Sequence, residues 1–254
     1  SHYRILDKLG EGGMGVVYKA RDLKLDRFVA LKFLPSHLTR NKDDKARFLQ
    51  EAKAAAALNH PNVCTIHEIH DEEENPFIVM EYVNGETLRK KLRSKKFEVK
   101  DTIGYAIQIA EALKAAHSTG IIHRDINPTN IFIQQDDRLK ILDFGLSCPI
   151  GTEDFASFGT MAYMAPEQIK SEPMDQRTDI YEMGITAFEM LAGHCPFPES
   201  DVRKLMDLHL NCSIPDPAAV VPNIPEPLRH FILKACRRNP DHRYQTVTEA
   251  LGDL

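Results

Sequence analysis

Tryptophan is absent from the 254 residues, aromatic residues make up only 7%, and no two of the five cysteines form a Cys-x-x-Cys pair. Cys64, Cys148, Cys195, Cys212 and Cys236 therefore carry no zinc or redox signature and read as reduced, structural thiols. No apolar run approaches the ~18 residues needed to cross a bilayer. No secretory leader, internal repeat or low-complexity tract is visible. Positive charge is also scarce, with 32 Lys+Arg against 37 Asp+Glu and a net charge of -5. That balance speaks against nucleic acid as the main partner, which needs a concentrated basic surface. What is present is an ordinary globular balance, 43% hydrophobic and 27% charged. The length suits one large domain or two small lobes about a shared cleft. The opening Ser1-His2 reads as the scar of a cleaved tag, so the chain is expected to be cut from a longer protein.

The first third is rich in short β-type runs. Val16-Val17-Tyr18, Phe28-Val29-Ala30-Leu31 and Phe77-Ile78-Val79-Met80 are bounded by Gly, Asp, Asn and Pro. One helix interrupts them: residues 41–44 resemble a capping signal, and Phe48, Ala52, Ala55 and Leu58 share a face. After Met80 the pattern turns helical. Ile103, Ile107, Ala110 and Leu113 recur at helical spacing, and residues 180–191 are apolar nearly all round, as in a buried helix. Pro227 suits a first helical turn, Thr246 and Glu249 have capping-box spacing, and the chain is expected to end inside that last helix. The acidic run at residues 71–74 reads as a solvated turn between strands.

Gly10-Glu11-Gly12-Gly13-Met14-Gly15-Val16-Val17 is a glycine-rich segment leading into a strand. Glycines let a backbone approach phosphates and aim N–H groups at them, but an ordinary hairpin turn fits equally. A dinucleotide fingerprint would need a helix after the glycines, whereas Val16-Val17-Tyr18 continues as strand. Lys32 ends the next apolar strand run, placed for phosphate contact or simply facing water. Glu51, midway along the following helix, is either a solvated charge or the carboxylate that holds Lys32.

Three more segments follow in order. They are His123-Arg124-Asp125-Ile126-Asn127-Pro128-Thr129-Asn130, then Lys140-Ile141-Leu142-Asp143-Phe144-Gly145, then Gly159-Thr160-Met161-Ala162-Tyr163-Met164-Ala165-Pro166-Glu167. With the glycine loop and Val29-Ala30-Leu31-Lys32, they resemble the glycine loop, phosphate-contacting lysine, catalytic loop, metal-binding triad and activation-segment end of protein kinases. The likeness runs from Tyr3 to Leu254. The glycine-rich opening and Met80-Glu81-Tyr82-Val83-Asn84-Gly85-Glu86-Thr87-Leu88 are most similar to bacterial serine/threonine kinases.

The resemblance implies an α+β, two-lobed fold with an ATP cleft between the lobes. Residues 1–82 would form the β-rich N-lobe and residues 83–254 the α-rich C-lobe. It implies ATP and Mg2+ as cofactors, with Asn130 and Asp143 holding the metal and Lys32 contacting the α- and β-phosphates. Asp125 would take the proton of the substrate hydroxyl. Gly10, Gly12 and Gly15 would cover the phosphates, and Leu9, Val17, Ala30 and Phe132 would sandwich the adenine. Met80 would guard the pocket, and the backbones of Glu81 and Val83 would bond the base. Thr160 would sit beside Asp125 and face the incoming hydroxyl. Glu167 is expected to pair with Arg243, Asp179 to anchor the catalytic loop, and His123 to be a satisfied core histidine. Thr160 and Pro128 favour serine or threonine of a protein substrate, and the protein-substrate segment disfavours a small-molecule phosphotransferase. Cytoplasmic placement, on one side of a membrane-anchored sensor, is implied as context.

One position departs from the family. Serine/threonine kinases carry lysine two residues after the catalytic aspartate, and here that residue is Asn127. Losing one preorganised contact to the transferring phosphoryl group typically costs ~10²–10³ in turnover. A slow kinase is expected, with a nucleotide-binding pseudokinase as the alternative. Ser147, Thr152, Ser157 and Thr160 are candidate phosphosites, and Arg124 and Arg47 are candidate partners for a phosphate there.

Overall fold

The computed structural model describes residues 2–12, 15–34, 42–71, 76–94, 96–144 and 161–254. The first 81 residues build a five-stranded antiparallel sheet in the order β1-β2-β3-β5-β4. Its strands are β1 (Tyr3–Gly12), β2 (Gly15–Asp22), β3 (Arg27–Phe33), β4 (Ile66–His70) and β5 (Phe77–Glu81). Helix α1 (Lys42–Ala56) packs beside β4.

Side chains alternate across a strand, and here the alternation sorts the core. Ala30, Ile78 and Met80 point to the face shared with Phe48 and Ala52 of α1, while Val29, Leu31, Phe77 and Val79 point to the opposite face. Lys32 lies two residues after Ala30, so it falls on the α1 side, opposite Ile78 in the ladder. Both faces are covered, which explains why these two strands read as continuous apolar runs.

The rest of the chain is mostly helical. A three-stranded sheet comes first, of β6 (Gly85–Thr87), β7 (Ile131–Gln134) and β8 (Leu139–Ile141). Around it lie α2 (Leu88–Ser94), α3 (Val99–His117), α4 (Pro166–Ile169), α5 (Gln176–Ala192), α6 (Val202–Asn211), α7 (Glu226–Ala235) and α8 (Val247–Leu251). Helix α5 is buried from Thr178 to Leu191 and touches both α3 and α7. Asp175 caps its start by accepting the N–H of Arg177, and Gly193 ends it at φ +81°, a conformation that favours glycine. The chain does not end inside the last helix: α8 stops at Leu251, and Gly252 to Leu254 continue beyond it. Residues 72–75 of the acidic turn lie outside the described residues, between β4 and β5.

Candidate active site

The catalytic loop is suspended from one face of α5. Asp179 and Glu182 are three residues apart and Thr186 four further on, so all three project from the same side of the helix. The Asp179 carboxylate accepts the N–H of His123 at 2.9 Å and of Arg124 at 2.7 Å, and meets His117 at 2.7 Å. Glu182 accepts the N–H of Ile126 at 2.7 Å, and the Thr186 hydroxyl donates to the Ile126 carbonyl at 3.4 Å. The N–H of Asp125 goes to His123 Nδ1 at 3.2 Å. Four successive peptide N–H groups, on His123 to Ile126, are thus satisfied without any regular secondary structure. Arg124, at φ +66°, accommodates the sharp turn this requires. His123 itself is fully buried, with Nε2 2.7 Å from the Leu142 carbonyl and its ring edge-on to Phe144.

Asp125 emerges from this rack 8% exposed. Burial pushes its carboxyl up to about 6, against the pull of His123 and of two amide donors. Those donors are Asn130 Nδ2, 2.7 Å from Oδ2, and Asn127 Nδ2, 2.7 Å from Oδ1. Asn127 is 1% exposed. Its carbonyl oxygen accepts the Thr129 N–H at 2.9 Å and also the Thr129 hydroxyl. The asparagine therefore directs its single amide donor group at the aspartate and its acceptor back into the loop.

Lys32 reaches across from β3 to Asp143, with Nζ 2.9 Å from Oδ1. Lys32 is 2% exposed, and Asp143 sits in the left-handed region at φ +60°. The charges are close, yet neither atom makes a well-aligned hydrogen bond, so both keep bonding capacity in a buried place. The Lys32–Glu51 pairing expected from sequence takes a different form: the ion pairs here run from Lys32 to Asp143 and from Glu51 to Arg124, the latter at 3.9 Å. Which carboxylate meets Lys32 depends on how α1 sits against the cleft, and spacing along the chain does not specify that.

Val17, Ala30, Met80, Val83 and Phe132 fall in one apolar cluster lining the junction of the lobes. Leu9 stands apart at its rim, 48% exposed. The Glu81 N–H is taken by the Thr65 carbonyl at 2.8 Å, and its side chain pairs with Lys140 at 2.7 Å. Of the Glu81 backbone only the carbonyl, which also takes the Cys64 thiol at 3.7 Å, has capacity left for a base. Gly12 and Gly15 face each other at the tip of the β1–β2 hairpin, Gly15 at φ +110°. A side chain at Gly10 or Gly12 would meet nothing within 4 Å, so the space over the cleft is open there. Gly13 and Met14, Thr160 and the candidate phosphosites Ser147, Thr152 and Ser157 lie outside the described residues, as does the side chain of Arg47.

A divalent ion fits this donor set. Asn130 uses its NH2 group on Asp125, which leaves its carbonyl oxygen for a metal, and the Asp143 carboxylate has unspent capacity. Among the described residues no cluster of three or more His, Cys, Asp or Glu could hold an ion unaided.

The protein kinase domain family matches residues 3–253. The chain belongs to that family. A probable serine/threonine-protein kinase of Clostridium perfringens is 39% identical over 261 residues, covering 100% of this chain and 38% of the relative. Serine/threonine-protein kinase PrkC of Bacillus subtilis is 35% identical, covering 99% of this chain and 40% of its own length. PknB of Mycobacterium tuberculosis is 36% identical, with 99% and 42% covered. The kinase domain thus spans about two fifths of the length of these relatives. The crystal structure of the Mycobacterium tuberculosis PknI kinase domain superposes with a TM-score of 0.79 at 25% identity, covering 100% of this chain and 95% of that one.

The geometry also shows site-supporting residues that sequence reading passed over. Glu182 is one. Another is Arg89 on α2, which bonds Glu189 at 2.6 Å and the Tyr163 hydroxyl, so that α2, α5 and the end of the activation segment are joined. A carboxylate within an otherwise apolar helix is the signal that marks both Glu182 and Glu189.

Proposed function

We propose that this domain transfers the γ-phosphoryl group of ATP, with magnesium, to serine or threonine hydroxyls of a protein, at a rate held down by Asn127. Membership of the family and the kinases named among its relatives support the reaction class. The observation that carries the reading is the meeting of Lys32 with Asp143 across the cleft, 2.9 Å apart, beside an Asp125 held by Asn127 and Asn130.

In this reading Lys32 turns from Asp143 to the α- and β-phosphates, with Glu51 steadying it. Val17, Ala30 and Phe132, with Leu9 from the rim, enclose the adenine, and the Glu81 carbonyl and Val83 backbone bond its edge. Gly10, Gly12 and Gly15 lie over the phosphates. Asn130 and Asp143 supply the oxygens for magnesium, whose charge offsets that of the phosphates. The ionised Asp125 carboxylate accepts the hydroxyl proton as that oxygen attacks the γ-phosphorus and ADP leaves. Catalysis of this kind is mostly positioning and charge stabilisation. Asn127 contributes to holding Asp125 but brings no positive charge to the phosphoryl group. The domain is assigned to the cytoplasm, where ATP is supplied; among the described residues no helix is long and apolar enough to cross a membrane.

The test is single-turnover transfer from labelled ATP to a generic protein, with and without magnesium, for the wild type and Asn127→Lys. The expected result is magnesium-dependent labelling that rises ~10²–10³-fold in the variant. Equal rates would refute this account of the asparagine. No labelling by either protein, with nucleotide still bound, would favour a nucleotide-binding module, a reading favoured by the commitment of the Asn127 amide to Asp125.

A further inference from the structure

Beside Asp179, Glu182 is a second enclosed acid under the catalytic loop. It is 2% exposed and lies in the middle of α5. The titratable groups facing it are themselves acids, Asp179 on its own helix and Asp125 on the loop. From α4 the amide of Gln168 approaches it, and that same amide donates to the Arg124 carbonyl at 2.9 Å. Asp179 already has three partners in the N–H groups of His123 and Arg124 and the ring of His117. Burial, and then the field of Asp179, push the Glu182 carboxyl far above the ordinary range. In either protonation state a carboxyl oxygen can accept, and Oε2 of Glu182 takes the Ile126 N–H at 2.7 Å.

We propose that Glu182 is a positioning residue of the transfer site: by holding the Ile126 N–H it fixes the peptide that joins Asp125 to the following loop, and so the direction of the Asp125 carboxylate and the seat of Asn127. The assignment follows from the spacing of the supports. Asp179 holds the two peptides before Asp125, Thr186 holds the Ile126 carbonyl, and Glu182 holds the peptide immediately after Asp125. Without it the N–H of a fully buried Ile126 has no partner, and the loop must shift to find one. The kinetic half of the proposal rests on the phosphoryl-transfer reading, and the exchange half does not.

The experiment compares Glu182→Gln, which keeps an acceptor of the same reach and no charge, with Glu182→Ala. Two readouts are taken: hydrogen exchange at the Ile126 amide, and kcat with KM for ATP. The expected result for Glu182→Ala is exchange at Ile126 faster by ~10–100-fold, with kcat reduced and KM for ATP nearly unchanged. Glu182→Gln should restore slow exchange and most of kcat. If the alanine variant does not fold, Glu182→Asp carries the same readouts, its carboxyl being one methylene short of the N–H. Unchanged exchange in the alanine or aspartate variant would overturn the proposal. So would a glutamine variant as damaged as the alanine one, or a fall in kcat matched by an equal rise in KM. Absence of transfer by the wild type would count against the function proposed above and leave the exchange result to judge Glu182.

Discussion

His209 lies buried on α6 with Nδ1 2.8 Å from the Tyr181 hydroxyl and Phe197 edge-on to its ring. Burial drives its pKa down to about 4, against 6.5 in an unfolded chain. The folded state thus favours the neutral ring. Its contribution to stability is complete above pH 6.5 and is lost as pH falls from there toward 4, by up to about 3 kcal/mol. Denaturant midpoints measured across that window should fall more steeply for the wild type than for His209→Gln; parallel curves would contradict the assignment. At this scale Asp125, Asn130, Asp143 and Lys32 stand at diagnostic places in short patterns, and the structure sets Asn130 against Asp125 and Lys32 against Asp143. Glu182 was not readable in advance, because a glutamate in a helix normally reads as solvated, and only its place three residues after Asp179 puts it under the loop. Nor was the partner of Lys32 readable, since Asp143 and Glu51 both lie far from it in sequence and compete on the same charge.

Among the elements, α5 and α7 approach closely at Gly184. A side chain there would stand 2.6 Å from Cys236 Sγ and 2.9 Å from the Ala235 Cβ. Gly184→Ala is therefore expected to lower stability by about 1–3 kcal/mol, measured by chemical denaturation, although alanine is the better helix former. A neutral or stabilising result would show that α7 yields. The buried elements declared themselves in the sequence: residues 180–191 of α5 are apolar nearly all round, and β3 and β5 carry apolar runs. β1 did not, since Tyr3–Gly12 is largely exposed and mixed in character, and its place is set by pairing with β2 rather than by a hydrophobic pattern. The short strand β6 escaped for a related reason, three residues being too few to show a period.

At the scale of the whole molecule, two of the ion pairs that join distant parts of the chain carry consequences. Glu167 and Arg243 meet as a buried fork, at 2.7 and 2.8 Å, and the arginine also donates to the carbonyls of Arg177, Arg237 and Arg238. Burial pushes the Glu167 carboxyl up, but the guanidinium more than offsets it and the pKa ends below the ordinary value. Both partners were named from the resemblance, and the fork confirms that they meet. Arg243→Ala should cost about 3–5 kcal/mol, because it leaves a carboxylate buried without its counter-charge. A loss below about 1 kcal/mol in a denaturant titration would show that water reaches Glu167.

The second pair, Lys32 with Asp143, bridges the two lobes and also occupies the atoms that a nucleotide and its metal would use. An anion arriving alone would draw the lysine away and strand the aspartate; a cation arriving alone would do the reverse. Only both together would leave each charge matched, so under the proposed function the clasp would favour the joint arrival of ATP and magnesium. Linkage requires the effect to be mutual, each tightening the other by the same factor. Calorimetric titration of ATP with and without magnesium should show that factor in the wild type and its disappearance in Asp143→Asn, which would give the domain a built-in discrimination between the metal-bound nucleotide and the bare one.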